Sequence, residues 1–204
     1  GADYTIDALC RLISAGVTTN IHYVLNKSTI EQAGDILAHE HGLPYGLNAI
    51  IFLLHKPVGL GRQEEVLSVD MPMVRRFFDL VEHGHFLYKL GFDACTIPGI
   101  VTQTTSLDST YFDSCEGGRY SMYISPDMIA TPCSFDQDFK YGYKLGSIEN
   151  AWGSTQFEAF RSILRNACPG CSTRNVCMGG CPLHPEIVLC ERRKPNEDTN
   201  GVCN

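Results

Sequence analysis

The cysteines constrain this chain more than any other feature of its sequence. The 204 residues contain ten cysteines, and eight of them lie between Cys115 and Cys203. The first half is rich in apolar residues but carries only Cys10 and Cys95. Because the first half can form a hydrophobic core without crosslinks, we expect the clustered thiols to bind something rather than to hold the fold together.

Three roles are open to such a group of cysteines: ligands of a metal or cluster, disulfide bridges, and inert buried thiols. Disulfide frameworks are typical of short secreted domains that have no other core. Close CxxC pairs bind metals or carry out redox chemistry more often than they crosslink a chain. We therefore favour metal or cluster ligation in a reducing cytoplasm. Cys10, alone on a predicted helix, is expected to be a buried small apolar residue.

Composition argues against several classes of function. Hydrophobic residues make up 44% of the chain and charged residues 19%, as in a folded domain. The net charge of -7 counts against a nucleic-acid partner or an anionic membrane surface. No apolar run approaches the roughly 18 residues of a membrane span, and no signal-peptide pattern is present. We expect a soluble protein with no nucleic-acid and no membrane partner.

Helical and strand patterns alternate over residues 1–90. Helices are predicted at 6–16, 30–41 and about 70–88, with strands at 17–25 and 47–54. Ser28 and Glu31 predict a capping box at the second helix. The alternation indicates right-handed βα units of a parallel sheet. Because two strands neither close a barrel nor form a stable open sheet, these residues are expected to be part of a larger α/β body.

The pattern changes in the second predicted domain, residues 91–204. A loop or irregular strands are predicted for 96–111, and a β-hairpin for 119–133 around a Ser-Pro-Asp-Met turn. A connector over 139–148 and a helix over 151–166 follow. The expected fold class is thus α/β, with βα units of a parallel sheet before a small cysteine-rich domain that contains a hairpin and a helix.

The tail has the densest cysteine spacing. It reads Cys168-x2-Cys171-x5-Cys177-x3-Cys181-Pro182, with Cys190 and Cys203 beyond. Thiolates suit zinc and iron–sulfur clusters and disfavour hard ions such as Mg²⁺. In two-cluster ferredoxins, the cysteine before proline in a comparable run binds the other cluster. We therefore expect Cys181 to turn away from the three cysteines before it and to join Cys115 and Cys133.

The number of candidate ligands is also informative. Two four-thiolate sites need eight cysteines, and counting Cys95 makes nine candidates from that residue onwards. A structural module that holds two zinc ions, with no redox role, uses the same ligand chemistry and is the alternative. His184, close after Cys181, is a further possible zinc ligand.

The whole pattern resembles the SPASM domain, which follows the barrel of many radical S-adenosylmethionine (SAM) enzymes. The resemblance rests on Cys115-x17-Cys133, the four tail cysteines and a late cysteine, and it covers about residues 90–200. YISPDMIATPC is similar to the family's hairpin, with Met128 where the family usually has glycine, and KLGSIENAWGSTQFEAFR is similar to its linker helix. Upstream, AGVTTNIHYVLNKSTIEQ and AIIFLLHKPVGLGR resemble the fifth and sixth βα units of the radical SAM barrel.

This resemblance implies two auxiliary [4Fe-4S] clusters. The implied ligands of the outer cluster are Cys168, Cys171, Cys177 and Cys203, with Cys190 as the alternative to Cys203. Those of the inner cluster are Cys115, Cys133 and Cys181, with the fourth position filled by Cys95 or left open for substrate. The resemblance names no catalytic residue in this chain.

One departure from the family bears on activity. Radical SAM chemistry uses a CxxxCxxC loop, and that spacing does not occur in these 204 residues. The resemblance therefore implies a C-terminal portion of such an enzyme that cannot cleave SAM alone, with SAM bound only in the full-length enzyme.

The resemblance also implies an oxidoreductase that modifies a peptide or protein substrate, as in the maturation of ribosomally made peptides (RiPPs). An electron donor or acceptor would then be a further partner. Two other functions use the same cysteines. One is a non-catalytic module for zinc binding or peptide docking, and the other is a cluster-bearing electron-transfer partner of a separate SAM-binding chain.

Overall fold

The computed structural model describes residues 2–39 and 42–191, so Cys203 lies outside the described residues. The α-helices are α1 (Ala2–Ser14), α2 (Ile30–Leu37), α3 (Pro72–His83), α4 (Ile97–Gln103), α5 (Ile148–Trp152), α6 (Thr155–Asn166) and α7 (Arg174–Cys177). The strands are β1 (Asn20–Leu25), β2 (Ala49–Leu54), β3 (Lys89–Phe92), β4 (Tyr123–Ile124), β5 (Ile129–Thr131) and β6 (Tyr143–Lys144). Short 3-10 helices cover Gln63–Glu65, Ser109–Tyr111 and Pro185–Ile187. Within the described part of the chain, no helix is long and apolar enough to cross a membrane.

The predicted α/β fold class is confirmed by a parallel sheet with the order β1-β2-β3. The apolar run AIIFLL forms the central strand β2, and its side chains alternate between buried and half-buried along most of its length. Ala49 pairs with Asn20 on one side and with Lys89 on the other. A strand flanked by parallel neighbours is covered on both faces, which explains its continuous apolar sequence.

Aromatic side chains fill the main core between the sheet and the helices. Phe52 of β2 and Phe77 of α3 are fully buried and meet edge to face with their ring centroids 5.0 Å apart. The same core extends into the cysteine-rich tail, where it includes Cys177, Cys181 and Leu189. The tail thus packs on the α/β body through apolar contacts.

The third helix is shorter than predicted, and a strand follows it. The helix ends at His83, because Gly84 takes an extended conformation and leads the chain toward the sheet. β3 then begins at Lys89, directly after the predicted end of the helix at about residue 88. The predicted domain boundary at 90/91 falls inside this strand. β3 escapes prediction because its four residues are only partly buried and carry a weak alternation.

The prediction of a loop or irregular strands over 96–111 is wrong in part, because this stretch contains α4. Pro98 occupies the first turn, where its missing N–H is tolerated. Ile97 and Ile100 are buried, and Gly99 lies against Phe78 of α3. Seven residues are too few to show a helical period, so tertiary packing determines this helix.

The predicted hairpin is confirmed as β4 and β5, which are antiparallel. Met128 in its turn has a φ of 59°, in the left-handed region that favours glycine. The segment predicted to be a connector contributes a third strand, β6, which pairs with β5. Two-residue strands such as β6 lack the length for a sequence signal.

Three local predictions are corrected. The helix predicted over 151–166 is two helices, α5 and α6, capped by Ser147 and Ser154, each of which accepts a backbone N–H. The capping box at Ser28 does not form, since Thr29 is the N-cap residue of α2 and Ser28 bonds to Glu65 instead. Cys10 is exposed rather than buried, because α1 contributes Leu9 to the core and turns its other faces outward.

Candidate metal centre

The site lies at the carboxyl ends of two neighbouring parallel strands, β2 and β3. Lys56 follows β2, and Asp93 and Cys95 follow β3. The Lys56 ammonium donates hydrogen bonds to the Leu54 carbonyl at 2.9 Å and to Asp93 Oδ2 at 2.5 Å. Ligand sites in parallel sheets commonly lie at this edge, where the strand ends leave a crevice.

The hairpin supplies two more thiols to the same place. Cys115 precedes the hairpin and Cys133 follows its second strand. The Gly118 amide, which donates to the Ser121 and Pro132 carbonyls, ties the chain after Cys115 to the chain before Cys133. Arg119 fixes the first of these segments further, since its guanidinium donates to the Cys115 carbonyl at 3.2 Å.

Cys181 joins this group from the tail. A sharp turn precedes it, in which Met178, Gly179 and Gly180 all have positive φ angles. A side chain at Gly180 would clash with Val188, so this close approach requires glycine. The turn brings the Cys181 thiol into a hydrogen bond with the Cys95 thiol.

A cavity of about 500 Å³ lies among these elements. Its lining includes three of the four thiols, those of Cys95, Cys115 and Cys133, and Cys181 connects to them through Cys95. Lys56 and Asp93 also line the cavity. The structure therefore brings together all four residues predicted as the inner set, although their role as ligands stays a prediction.

Backbone amides point at three of these sulfurs. Cys115, Cys133 and Cys181 accept hydrogen bonds from amides two or three residues further along the chain, those of Gly117, Phe135, Leu183 and His184. The bond from the His184 amide to Cys181 Sγ measures 3.3 Å. Such bonds stabilise thiolates and are one means by which proteins tune iron–sulfur clusters.

The four thiols differ in acidity. The hydrogen bond between Cys95 and Cys181, followed by burial, raises the pKa of Cys95, whereas the same bond lowers the pKa of Cys181. Burial raises the pKa of Cys115 to about 11 and also raises that of Cys133. Cys181 is therefore the first of the four to become a thiolate, the form that binds metals.

Lys56 is the buried cation of the site. Burial is the largest influence on its pKa and lowers it, but the electrostatic interactions with Cys95 and Asp93 and the hydrogen bond to Asp93 outweigh burial and leave the pKa raised. Its ammonium also lies 5.0 Å from the centroid of the Phe135 ring. Lys56 thus stays charged beside the thiols.

The outer cysteines lie on one short stretch of the tail. A turn joins Cys168, whose φ is 47°, to Cys171, whose amide donates to the Cys168 carbonyl. Cys177 ends α7 and is buried, and Cys190 is half-buried near the end of the described chain. The choice between Cys190 and Cys203 as the fourth ligand stays a prediction, because Cys203 falls on residues that are not described.

The donors of the inner site are sulfur atoms. Cys95, Cys115, Cys133 and Cys181 carry free thiols. Among residues 2–39 and 42–191, no group of three or more His, Cys, Asp or Glu side chains is arranged to hold one metal ion. Thiolates are the ligands of iron–sulfur clusters, and the cavity that three of the four inner thiols line measures about 500 Å³. The donor chemistry of the inner set therefore fits a cluster.

His184 is engaged elsewhere. Its ring nitrogens lie 3.2 Å from Glu186 Oε1 and 3.4 Å from the Phe135 carbonyl. These contacts give the imidazole protein partners on both sides, and its contribution to the site is the backbone amide that bonds to Cys181.

Sequence reasoning missed Lys56 and Asp93 as parts of this site. The available signals were weak: Lys56 directly follows the apolar run of β2, and Asp93 stands two residues before Cys95. A lysine or aspartate at a strand end is common, and only the pairing of β2 with β3 brings these two together.

Comparisons with known proteins agree with this geometry. Residues 115–177 match the SPASM family, described as an iron–sulfur cluster-binding domain. Among solved structures, the chain is similar to Streptococcus suis SuiB bound to S-adenosylmethionine, with a TM-score of 0.57 and 13% sequence identity. That match covers 94% of this chain and 48% of SuiB, so the chain spans about half the length of the protein it matches. No curated protein gives a significant sequence match.

These matches confirm two predictions. The SPASM resemblance inferred from the cysteine spacing is confirmed over residues 115–177, which include five of its cysteines, Cys115, Cys133, Cys168, Cys171 and Cys177. The similarity to SuiB confirms the α/β architecture, since at 13% identity it shows the fold. The segment 115–177 therefore carries the sequence pattern that the SPASM model describes.

Proposed function

We propose that this chain is the auxiliary-cluster portion of a radical SAM/SPASM enzyme and holds two [4Fe-4S] clusters. The observation that carries the proposal is the convergence of Cys95, Cys115 and Cys133 on one cavity, with Cys181 joined to them through Cys95. Two of these four thiols lie within the matched SPASM segment, and the other two come from the turn after β3 and from the tail. Polar groups that converge on one cavity from separate segments are typical of a ligand site.

The protein's own contribution to the inner site is to hold and polarise the thiols. Backbone amides donate to three sulfurs, and the Lys56 ammonium lies beside the fourth, Cys95. Bound there, a cluster would supply an electron acceptor or a binding site for a substrate thiol. The open side of the cavity leaves room for a substrate group near the hairpin residues Met122 and Tyr123.

The proposed substrate is a peptide or protein, as in RiPP maturation, and the proposed cellular site is the cytoplasm. The bound SAM of SuiB supports a SAM-dependent reaction for the complete enzyme. The 204 residues contain no CxxxCxxC spacing, and we propose that they do not cleave SAM by themselves.

Anaerobic reconstitution of the chain tests the proposal. We expect about eight irons and matching acid-labile sulfide per chain, the content of two [4Fe-4S] clusters. Stoichiometric zinc without sulfide would instead support the zinc-binding alternative and contradict the proposal. With SAM and a reductant, the reconstituted chain is expected to produce no 5′-deoxyadenosine.

Paired variants test the division of ligands. The double variant Cys168→Ala with Cys171→Ala is expected to lose about four irons and keep the inner cluster. Cys115→Ala is expected to lose the inner cluster and keep the outer one. Cys10→Ala is the matched control, since this exposed cysteine lies outside both sets and its loss is expected to leave the iron content unchanged.

A further inference from the structure

Lys56 and Asp93 form an ion pair at the ends of β2 and β3. The binding of a cluster by the cysteines does not by itself require this pair. The side chains of Lys56 and Asp93 are 9% and 17% exposed, so both charges are largely withdrawn from water. A buried ion pair is seldom a net source of stability, because desolvation offsets the attraction. Its position against Cys95 points to a role in the site.

Asp93 organises the turn that carries Cys95. Its Oδ1 accepts the Thr96 amide at 3.1 Å and the Thr96 hydroxyl at 2.6 Å. The Asp93 amide in turn donates to the Phe52 carbonyl, which continues the pairing of β3 with β2. Cys95 therefore lies inside a turn that is closed at both ends, directly before α4.

Lys56 holds the other oxygen of the same carboxylate. Its ammonium bonds to Asp93 Oδ2 and to the Leu54 carbonyl, so it connects the end of β2 to the turn after β3. The two oxygens of Asp93 thus accept hydrogen bonds from different partners: Oδ2 from Lys56, and Oδ1 from Thr96. A change at Lys56 is transmitted to Cys95 through this one carboxylate.

We propose that Lys56 is a positioning residue for Cys95, which orients the 93–96 turn through Asp93 and places a fixed positive charge beside the inner thiols. The inference rests on the proposed function, because it takes Cys95 as the fourth ligand of the inner cluster. Charge near a cluster is one of the means by which a protein sets its reduction potential. Lys56 and Asp93 therefore act on that potential in opposite directions.

Redox titration followed by electron paramagnetic resonance tests the effect of charge. The inner-cluster signal is identified as the one that Cys115→Ala removes. Lys56→Met is expected to shift its midpoint potential to more negative values, because a cation is lost. Asp93→Asn keeps the oxygen that caps the turn but removes an anion, and is expected to shift the potential to more positive values.

Two control variants separate this effect from general damage. Lys56→Arg keeps the charge and is expected to leave the potential close to that of the unsubstituted chain. Lys140→Met removes an exposed lysine that lies over the Tyr141 ring, and is expected to change nothing. Shifts of the same sign in Lys56→Met and Asp93→Asn, or no shift in either, would overturn the charge effect. If Lys56→Met does not fold, the Asp93→Asn variant tests the charge effect: a shift to more positive potential supports it, and a shift to more negative potential overturns it.

Amide hydrogen exchange in the metal-free chain tests the positioning role without any cluster. Lys56→Met is expected to speed exchange of the Thr96 amide at least tenfold, because Asp93 is no longer held, while Lys56→Arg leaves it unchanged. An unchanged rate in Lys56→Met would overturn the positioning role. Iron and sulfide binding by the unsubstituted chain tests the proposed function separately. Failure of the proposed function is therefore distinguishable from failure of the positioning role of Lys56.

Discussion

The Glu82 carboxylate of α3 accepts hydrogen bonds from both the amide and the hydroxyl of Thr105, each at 2.7 Å. The Ser106 amide donates to the same oxygen. These bonds connect α3 to the segment after α4. They lower the pKa of Glu82 to about 2, with the Thr105 hydroxyl as the largest cause.

This lowered pKa predicts a pH dependence of stability. The contribution of Glu82 is fully present above its ordinary pKa of 4.5 and is lost as the pH falls from there toward 2. Chemical unfolding between pH 6 and pH 3 is expected to show a smaller loss of stability in Glu82→Gln than in the unsubstituted chain. Glu31→Gln, in the exposed first turn of α2, is the comparison. Identical pH profiles for Glu82→Gln and the unsubstituted chain would contradict the prediction.

Met128 offers a test of backbone strain. A residue with a side chain in the left-handed region is destabilised by roughly 1–2 kcal/mol, and Met128 has a φ of 59° while half of its surface is exposed. Met128→Gly is expected to raise the free energy of unfolding by about 0.5–1 kcal/mol, since relief of strain exceeds the added flexibility of the unfolded chain. Met128→Ala keeps the Cβ atom and is expected to give no gain in urea unfolding.

The docking of α4 on α3 predicts a strong effect at Gly99. A Cβ atom at this position would lie 2.4 Å from Cζ of Phe78, which is itself fully buried. Gly99→Ala is expected to destabilise the protein by about 1–3 kcal/mol through overpacking. Gly146→Ala is the matched control, because nothing lies within 4 Å of a Cβ atom there. A Gly99→Ala protein as stable as this control would show that α4 packs differently.

The break between α5 and α6 predicts a measurable cap at Ser154. Its hydroxyl accepts the Phe157 amide at 3.3 Å, and the serine is itself buried. Ser154→Ala is expected to lower the free energy of unfolding by about 1 kcal/mol, the usual effect of losing an N-cap. Ser162→Ala, within α6, is the control and is expected to have a much smaller effect. Equal losses in the two variants would argue for one continuous helix.

The strong periodic patterns were sufficient to predict the main elements. The run LNAIIFLL predicted the central parallel strand, and the spacing of Cys115, Cys133 and the tail cysteines predicted the SPASM segment. β3, β6 and α4 were missed because they are two to seven residues long and owe their conformation to their neighbours. Cys10 was wrongly predicted to be buried, because the periodicity of apolar residues in α1 does not show how much of the helix surface is covered by other elements.

The sequence by itself determined which chemistry this chain can support, because the number and spacing of thiols are properties of the chain and need no fold. Tertiary structure decided which thiols meet. Cys95 and Cys181 stand far apart in sequence, yet they share a hydrogen bond, because β3 pairs with β2 while the glycine turn folds the tail back. The same pairing brings Lys56 to Asp93. Contacts between distant segments depend on the whole packed core, and no local pattern contains them.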